Sequence, residues 1–249
     1  MTVSRPAVLW DLVAAHAAAA GRGVSVADVC AVAVAEAQAS GAWVAAASRG
    51  GPDFVICVTD PVAERLAEIS LMLGEGPCHD VLATGAPVLA ADLGDAESVR
   101  RWPAFTPEAR DGGAAAVFVF PLVIGAIRAG VMGLYRVSPG PLGGPQLGDC
   151  LLLADGTTML LLGSLERSPD GADDGRGFDG QPSGLAVHRA EIDQATGMLT
   201  VQLDVSAGEA FARLRAYAYA EDRRLADVAR DIVARRLRLH PDPAHDGGE

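Results

Sequence analysis

Ala114-Ala115-Ala116-Val117-Phe118-Val119-Phe120-Pro121 and Ala129-Gly130-Val131-Met132-Gly133-Leu134-Tyr135-Arg136-Val137 are the strongest β-prone runs in the chain, and they decide how its longer N-terminal part is built. Both are dominated by β-branched, aromatic and small apolar residues. Ile124-Gly125-Ala126 between them supplies a turn, so the pair is expected to form a hairpin. Upstream, 42–47 and 54–59 are shorter runs of the same kind, separated by the turn residues Arg49-Gly50-Gly51-Pro52. They predict a second hairpin, and 87–91 adds a short strand.

Helical spacing fills the intervals. Residues 8–20 and 26–39 carry apolar positions at helical intervals, the second opened by Ser25 as N-cap with Asp28 three residues on. Asp60-Pro61 places a capping acid before a proline, and Val62, Leu66, Ile69 and Leu73 follow on one stripe until Gly74. The Gly74-Glu75-Gly76-Pro77-Cys78-His79-Asp80 turn feeds a further short helix ending near Thr84-Gly85. The order helix, hairpin, helix, strand, hairpin, helix predicts an α+β domain with helices around an antiparallel sheet. Residues 146–166 read as a long apolar helix interrupted at Asp155-Gly156, with more Leu than one surface helix buries. That excess predicts packing against a twin in a homodimer.

Residues 167–185 are Ser, Pro, Asp and Gly with almost nothing apolar, the composition of a flexible linker. Three helices then fit in a small all-α unit at 186–240. Ile192, Ala195 and Leu199 form the first buried stripe. Ala210, Phe211, Leu214 and Ala218 form the second, behind the capping box Ser206-Ala207-Gly208-Glu209. Leu225, Val228, Ala229 and Ile232 form the third, which Pro241 is expected to stop. Residues 241–249 are expected to be a disordered tail. The organisation is therefore an α+β unit at 1–166 with a dimerisation helix expected at each end, the linker, and the helical unit.

Composition limits the functions available. The chain has 249 residues, half of them apolar, and its basic residues are all Arg, with neither Lys nor Asn. A GC-rich coding bias explains that choice, so Arg content alone is no sign of nucleic-acid binding. A net charge of -12 argues against coating nucleic acid with the whole surface. Most of the excess negative charge precedes residue 185, and 188–240 is close to neutral with clustered Arg, which leaves local phosphate attraction open. Cys30, Cys57, Cys78 and Cys150 show no CxxC pair and no metal-ligand spacing. The first residues lack the order of a signal peptide, and no apolar run reaches the roughly 18 residues of a membrane span. A reduced, cytoplasmic protein without a membrane segment is expected.

Ile192-Asp193-Gln194-Ala195-Thr196-Gly197-Met198-Leu199, Glu209-Ala210-Phe211 with Leu214-Arg215 and Tyr217-Ala218, and Leu225-Ala226-Asp227-Val228-Ala229 together resemble the ANTAR domain. Gly74-Glu75-Gly76-Pro77-Cys78, Pro87-Val88, Arg101-Trp102-Pro103-Ala104-Phe105 and Phe120-Pro121-Leu122 resemble a GAF domain of the type common in actinobacteria. The resemblance implies a GAF sensor coupled to an ANTAR output, a family of transcription antiterminators that bind paired hairpin loops in leader RNA. The family pattern has Lys where this chain has Thr196, and a hydroxyl in place of an ammonium removes a phosphate contact.

Candidate RNA-binding residues are Thr196, Arg215, Tyr219, Arg223 and Arg224. Arg215 and Tyr219 lie one turn apart on an outward face, where a guanidinium grips phosphate while an aromatic ring stacks an unpaired base. Arg223 and Arg224 occupy the turn before the last helix, with Asp222 and Asp227 as competing ion partners. In the sensor, Trp102, Cys78 and His79 are candidates for lining a small-molecule pocket, with the ligand itself and any cofactor unreadable. Two other functions compete. Residues 206–237 also read as a helix-turn-helix for DNA, against which stand Asp227 and Asp231 on the recognition helix. Cys78 at a helix start also reads as the thiol of a GAF-type methionine sulfoxide reductase, whereas the family resemblance implies a chain that is not an enzyme.

Overall fold

The computed structural model describes residues 4–47, 54–125, 127–167, 184–221 and 223–239. The turn expected at 49–52, residues 168–183 of the linker expected at 167–185 and the tail expected at 241–249 lie outside them, while 167, 184 and 185 of that expected linker belong to helices. Five strands, β1 (Gly41–Ala46), β2 (Phe54–Val58), β3 (Val88–Ala90), β4 (Ala116–Ile124) and β5 (Ile127–Arg136), form one sheet in the order β2-β1-β5-β4-β3. Every pairing is antiparallel.

Alternation along the strands builds two cores. Ala42, Val44, Phe118, Phe120, Leu122, Met132 and Leu134 face one side of the sheet. There they meet α1 (Arg5–Ala19), α2 (Val26–Ala37) and α7 (Gly144–Arg167). Trp43, Val117, Val119, Val131 and Tyr135 face the other side. That side is covered by α3 (Pro61–Leu73), α4 (Pro77–Thr84), α5 (Ala96–Arg101) and α6 (Phe105–Asp111). Period-2 side chains sent to two apolar layers account for a run such as Val117-Phe118-Val119-Phe120 in which every residue is fully buried. Each such side chain contributes about 1.5–3 kcal/mol of transfer free energy.

The two short helices α5 and α6 have no counterpart in the sequence reading. Asp95 caps α5 by accepting from the Ser98 amide at 2.6 Å. The cap of α6 comes from far along the chain: Glu75 accepts from the amides of Ala104 (2.7 Å) and Phe105 (2.8 Å). A cap supplied by another element leaves no local pattern to read.

Helix α7 is continuous through Asp155-Gly156, contrary to the expected interruption. Gly156 is a notch for the Trp10 indole of α1, since a Cβ there would stand 2.2 Å from the ring. Most of the Leu excess is also accounted for within the chain. Leu153 and Leu161 are buried, and Leu147, Leu152 and Leu160 pack against the same core. Leu151 and Met159 are left exposed.

In the C-terminal part, α8 (Gly184–Leu203), α9 (Ala207–Ala220) and α10 (Leu225–Val233) close around Ala195, Leu199, Ala210, Leu214, Ala218, Leu225, Val228, Ala229 and Ile232. Ser206 caps α9 by accepting from the Glu209 amide at 3.2 Å. Pro241 does not stop α10: the helix ends at Val233, with Ala234 as its C-cap and Arg235 left-handed at φ 59°. The Gln202 amide then donates to the Leu239 carbonyl at 2.8 Å, tying the segment that follows back to α8.

Asp28 locks the α1–α2 corner. Fully buried, its carboxylate accepts from His16 Nδ1 (2.7 Å), from two Arg22 nitrogens (2.7 and 2.9 Å) and from the Ser25 amide (2.9 Å) and hydroxyl (2.7 Å). Burial opposes ionisation, but the His16, Ser25 and Arg22 donors outweigh it and hold the carboxyl below its ordinary range. A depressed folded-state value stabilises the fold above the unfolded pKa and ceases to do so as pH falls through the folded one. Asp28→Asn is therefore expected to cost about 1–3 kcal/mol at pH 7 in urea denaturation. Its gap to the native chain should close as the medium is acidified below the ordinary carboxylate range.

Candidate functional site

The α3–α4 side of the sheet bears a partly open cavity of about 20 Å³, room for a water molecule or a ligand of very few atoms. Trp43, Ala45 and Val131 form its floor, with Ala67, Ser70 and Leu71 of α3 and Cys78, His79 and Leu82 of α4 around it. Trp43 stands over Gly133, its cross-strand neighbour, where a Cβ would come within 2.2 Å of the indole. Its Nε1–H is buried and has no acceptor among the described residues. An uncompensated buried donor costs about 1–3 kcal/mol.

Of the sequence-selected sensor residues, Cys78 and His79 line this cavity and Trp102 does not. Trp102 is buried at the C-cap of α5, edge-on to Phe105 with ring centroids 6.4 Å apart. Its Nε1 donates to Asp80 at 3.0 Å, and Arg101 donates to the same carboxylate at 2.7 Å. The Asp80 and Glu75 bonds thus join the 74–80 turn to the 101–105 segment. Trp102 braces the cavity wall through Asp80 instead of touching its contents. The thiols elsewhere are quiet: the neighbouring Cys57 and burial push Cys30 well above the usual thiol range, and burial pushes Cys150 up to about 12. Among the described residues no cluster of three His, Cys, Asp or Glu side chains is placed to hold a metal.

The five candidates in the helical unit do not share one environment. Thr196 is buried in α8, and its hydroxyl donates to the Ile192 carbonyl at 2.8 Å. This is the i−4 bond of a helical threonine, and it turns the group away from any surface. Tyr219 on α9 is exposed, at 53%. Arg223 donates to Asp231 at 2.6 Å, and Asp231 also binds Arg236. Asp227, expected beside Arg223 and Arg224, instead accepts from Arg230 at 2.9 Å.

Arg215 and Arg224 meet the sensor unit. Arg215 lies over the Phe211 ring at 5.3 Å and donates from Nη1 to the Leu71 carbonyl of α3 at 3.1 Å. Arg224 donates to Glu68 at 2.6 Å and to Glu64 at 2.7 Å, and these two carboxylates hold it more firmly protonated than an ordinary guanidinium. Both acids were missed in the sequence, where a Glu pair one turn apart on α3 reads as a solvated face.

Comparison with known proteins agrees with this division. The GAF domain model matches residues 23–147, half of the chain, and the ANTAR domain model matches 186–233. Among solved structures, the GAF domain of a phosphoenolpyruvate-protein phosphotransferase from Coxiella burnetii is 12% identical, with a TM-score of 0.51 over 67% of this chain and 99% of that one. The corresponding domain from Acinetobacter is 12% identical, with a TM-score of 0.48 over 68% and 99%. The GAF-B domain of DevS from Mycobacterium smegmatis is 21% identical, with a TM-score of 0.40 over 56% and 93%. At these identities the first likeness is one of fold, and the other two carry no argument. No curated protein matches the chain. Among the described residues no helix is long and apolar enough to cross a membrane. GAF followed by ANTAR is an arrangement typical of regulators that are not enzymes, and an ANTAR domain implies RNA-binding antitermination. The chain belongs to the GAF-domain family and carries an ANTAR domain behind its sensor, the architecture of an RNA-binding antitermination regulator.

Proposed function

We propose that this chain binds the unpaired loops of paired hairpins in leader RNA through the outer face of α9 and the turn into α10, under control of the GAF unit. The observation that carries the reading is Tyr219, an exposed aromatic in a small helical unit whose other large apolar side chains mostly turn inward, followed within five residues by Arg223 and Arg224. A ring for stacking a flipped base beside guanidinium groups for phosphate is the chemistry that reads single-stranded loops. Thr196 is left out of this interface because its hydroxyl is bonded inside α8. Paired hairpins call for two copies of the unit, and the exposed Leu151 and Met159 of α7 offer an apolar face to a second chain in a homodimer.

The duplex-DNA reading is disfavoured by α10 itself. Its inward residues are Leu225, Val228, Ala229 and Ile232, so the outward face carries Asp227 and Asp231 with a single Arg230, which is itself bonded to Asp227, and offers phosphate little free positive charge. A reductase reading needs an accessible thiol, and Cys78 is buried.

The test is a gel-shift titration against a two-hairpin leader RNA, a single hairpin and duplex DNA at several salt concentrations. Tyr219→Ala is expected to lose about 1–3 kcal/mol of RNA affinity with the salt slope unchanged. Arg223→Ala is expected to weaken binding and to flatten the slope by about 0.7 for the phosphate contact removed. Cys78→Ser should bind as the native chain does. Preference for the duplex, or binding indifferent to Tyr219 and Arg223, contradicts the reading.

A further inference from the structure

We infer that GAF helix α3 is a latch for the ANTAR unit: its Glu64 and Glu68 carboxylates take the guanidinium that RNA phosphate would take, so docking on α3 and binding RNA are mutually exclusive. The inference rests on the RNA reading above and names how that same surface is regulated.

Three observations converge on α3. Glu64 and Glu68 lie one helical turn apart, and like charges at that spacing repel unless a cation sits between them. Arg224 is that cation, bonded to both and drawn from the N-cap position of α10. One turn further along, Arg215 reaches the Leu71 carbonyl and packs against Gly74, the left-handed residue that ends α3. Met72 of the same helix joins the apolar core of the ANTAR unit. Two of the residues proposed to meet RNA are thus held by one sensor helix through charge, a carbonyl and an apolar contact.

The chemistry of the contact suits a switch. Carboxylate and phosphate offer a guanidinium the same paired acceptors, so one partner must leave before the other binds. The Arg224 and Glu side chains remain partly exposed, Arg224 at 47%. Ion pairs of that kind contribute little each and are screened by salt, which makes the docked state reversible. Once undocked, the two carboxylates face the RNA side and repel phosphate, which keeps the sensor clear of the complex. Helix α3 also lines the cavity, with Ala67, Ser70 and Leu71. The helix that holds the output unit therefore also forms the cavity wall.

The experiment uses the full chain. Glu64→Gln/Glu68→Gln is compared with the native protein and with Asp11→Asn/Glu97→Gln, which removes the same charge far from the contact. Affinity for the two-hairpin RNA is read by gel shift, and compactness without RNA by small-angle X-ray scattering. The latch predicts that the Glu64/Glu68 variant binds about fivefold more tightly than the native chain and has a larger radius of gyration, with the control unchanged in both. Equal affinity and equal radius in variant and native chain overturn it, as does an equal gain in the control. An expanded variant that binds no RNA overturns the RNA reading and the gating built on it, while leaving the docked arrangement of the two units in place.

Discussion

The constraint on which the rest depends is that β4 and β5 are apolar on both faces. A hairpin whose residues are buried above and below cannot remain exposed on either side, so the sheet must be covered by two helical layers. One layer is α1, α2 and α7, pinned at its corners by polar clusters such as Asp28 with His16, Arg22 and Ser25. The other is α3 to α6, shorter and more irregular, and it leaves the small cavity lined by Trp43. Helix α3 is placed by that requirement: Leu66, Ala67 and Ile69 turn to the sheet, and its carboxylates are left on the outside.

From that placement the functional geometry follows. The outer carboxylates of α3 hold Arg224 of the α9–α10 turn, whereas Tyr219 is left exposed. The C-terminal unit keeps its own apolar core and meets the sensor through these polar contacts, through Met72 and through the approach of α8 to β2. A unit with its own core, joined to its neighbour in part by exposed ion pairs, can be exchanged between partners. Weak, partly solvated ion pairs are suited to that role in a way that a large apolar interface would not be.

Much of this was legible in the sequence, for identifiable reasons. Strands β1, β2, β4 and β5 and helices α2, α3 and α9 carry their own patterns and caps: Ser25 with Asp28, Asp60 with Pro61, Ser206 with Glu209. Helix α6 was not legible because its cap, Glu75, lies about thirty residues away. Gly156 read as a break because the indole that fits it belongs to another helix. Helical phase puts Arg215 and Tyr219 on one outward face of α9; Tyr219 is exposed, and Arg215 is turned onto Leu71 of α3 instead. The burial of Thr196, the tie of Trp102 to Asp80 and the capture of Arg224 by Glu64 and Glu68 all depend on tertiary neighbours and leave no local trace.

The central claim is that one surface of the ANTAR unit serves either α3 or RNA. Hydrogen–deuterium exchange of the full chain, with and without the two-hairpin RNA, tests it most directly. The account predicts opposite changes on adding RNA: slower exchange in peptides spanning 213–226 and faster exchange in those spanning 64–73, as the helix loses its partner. Slower exchange in both segments, or no change at 64–73 while 213–226 becomes protected, would show that RNA binds without displacing the sensor helix and would contradict it.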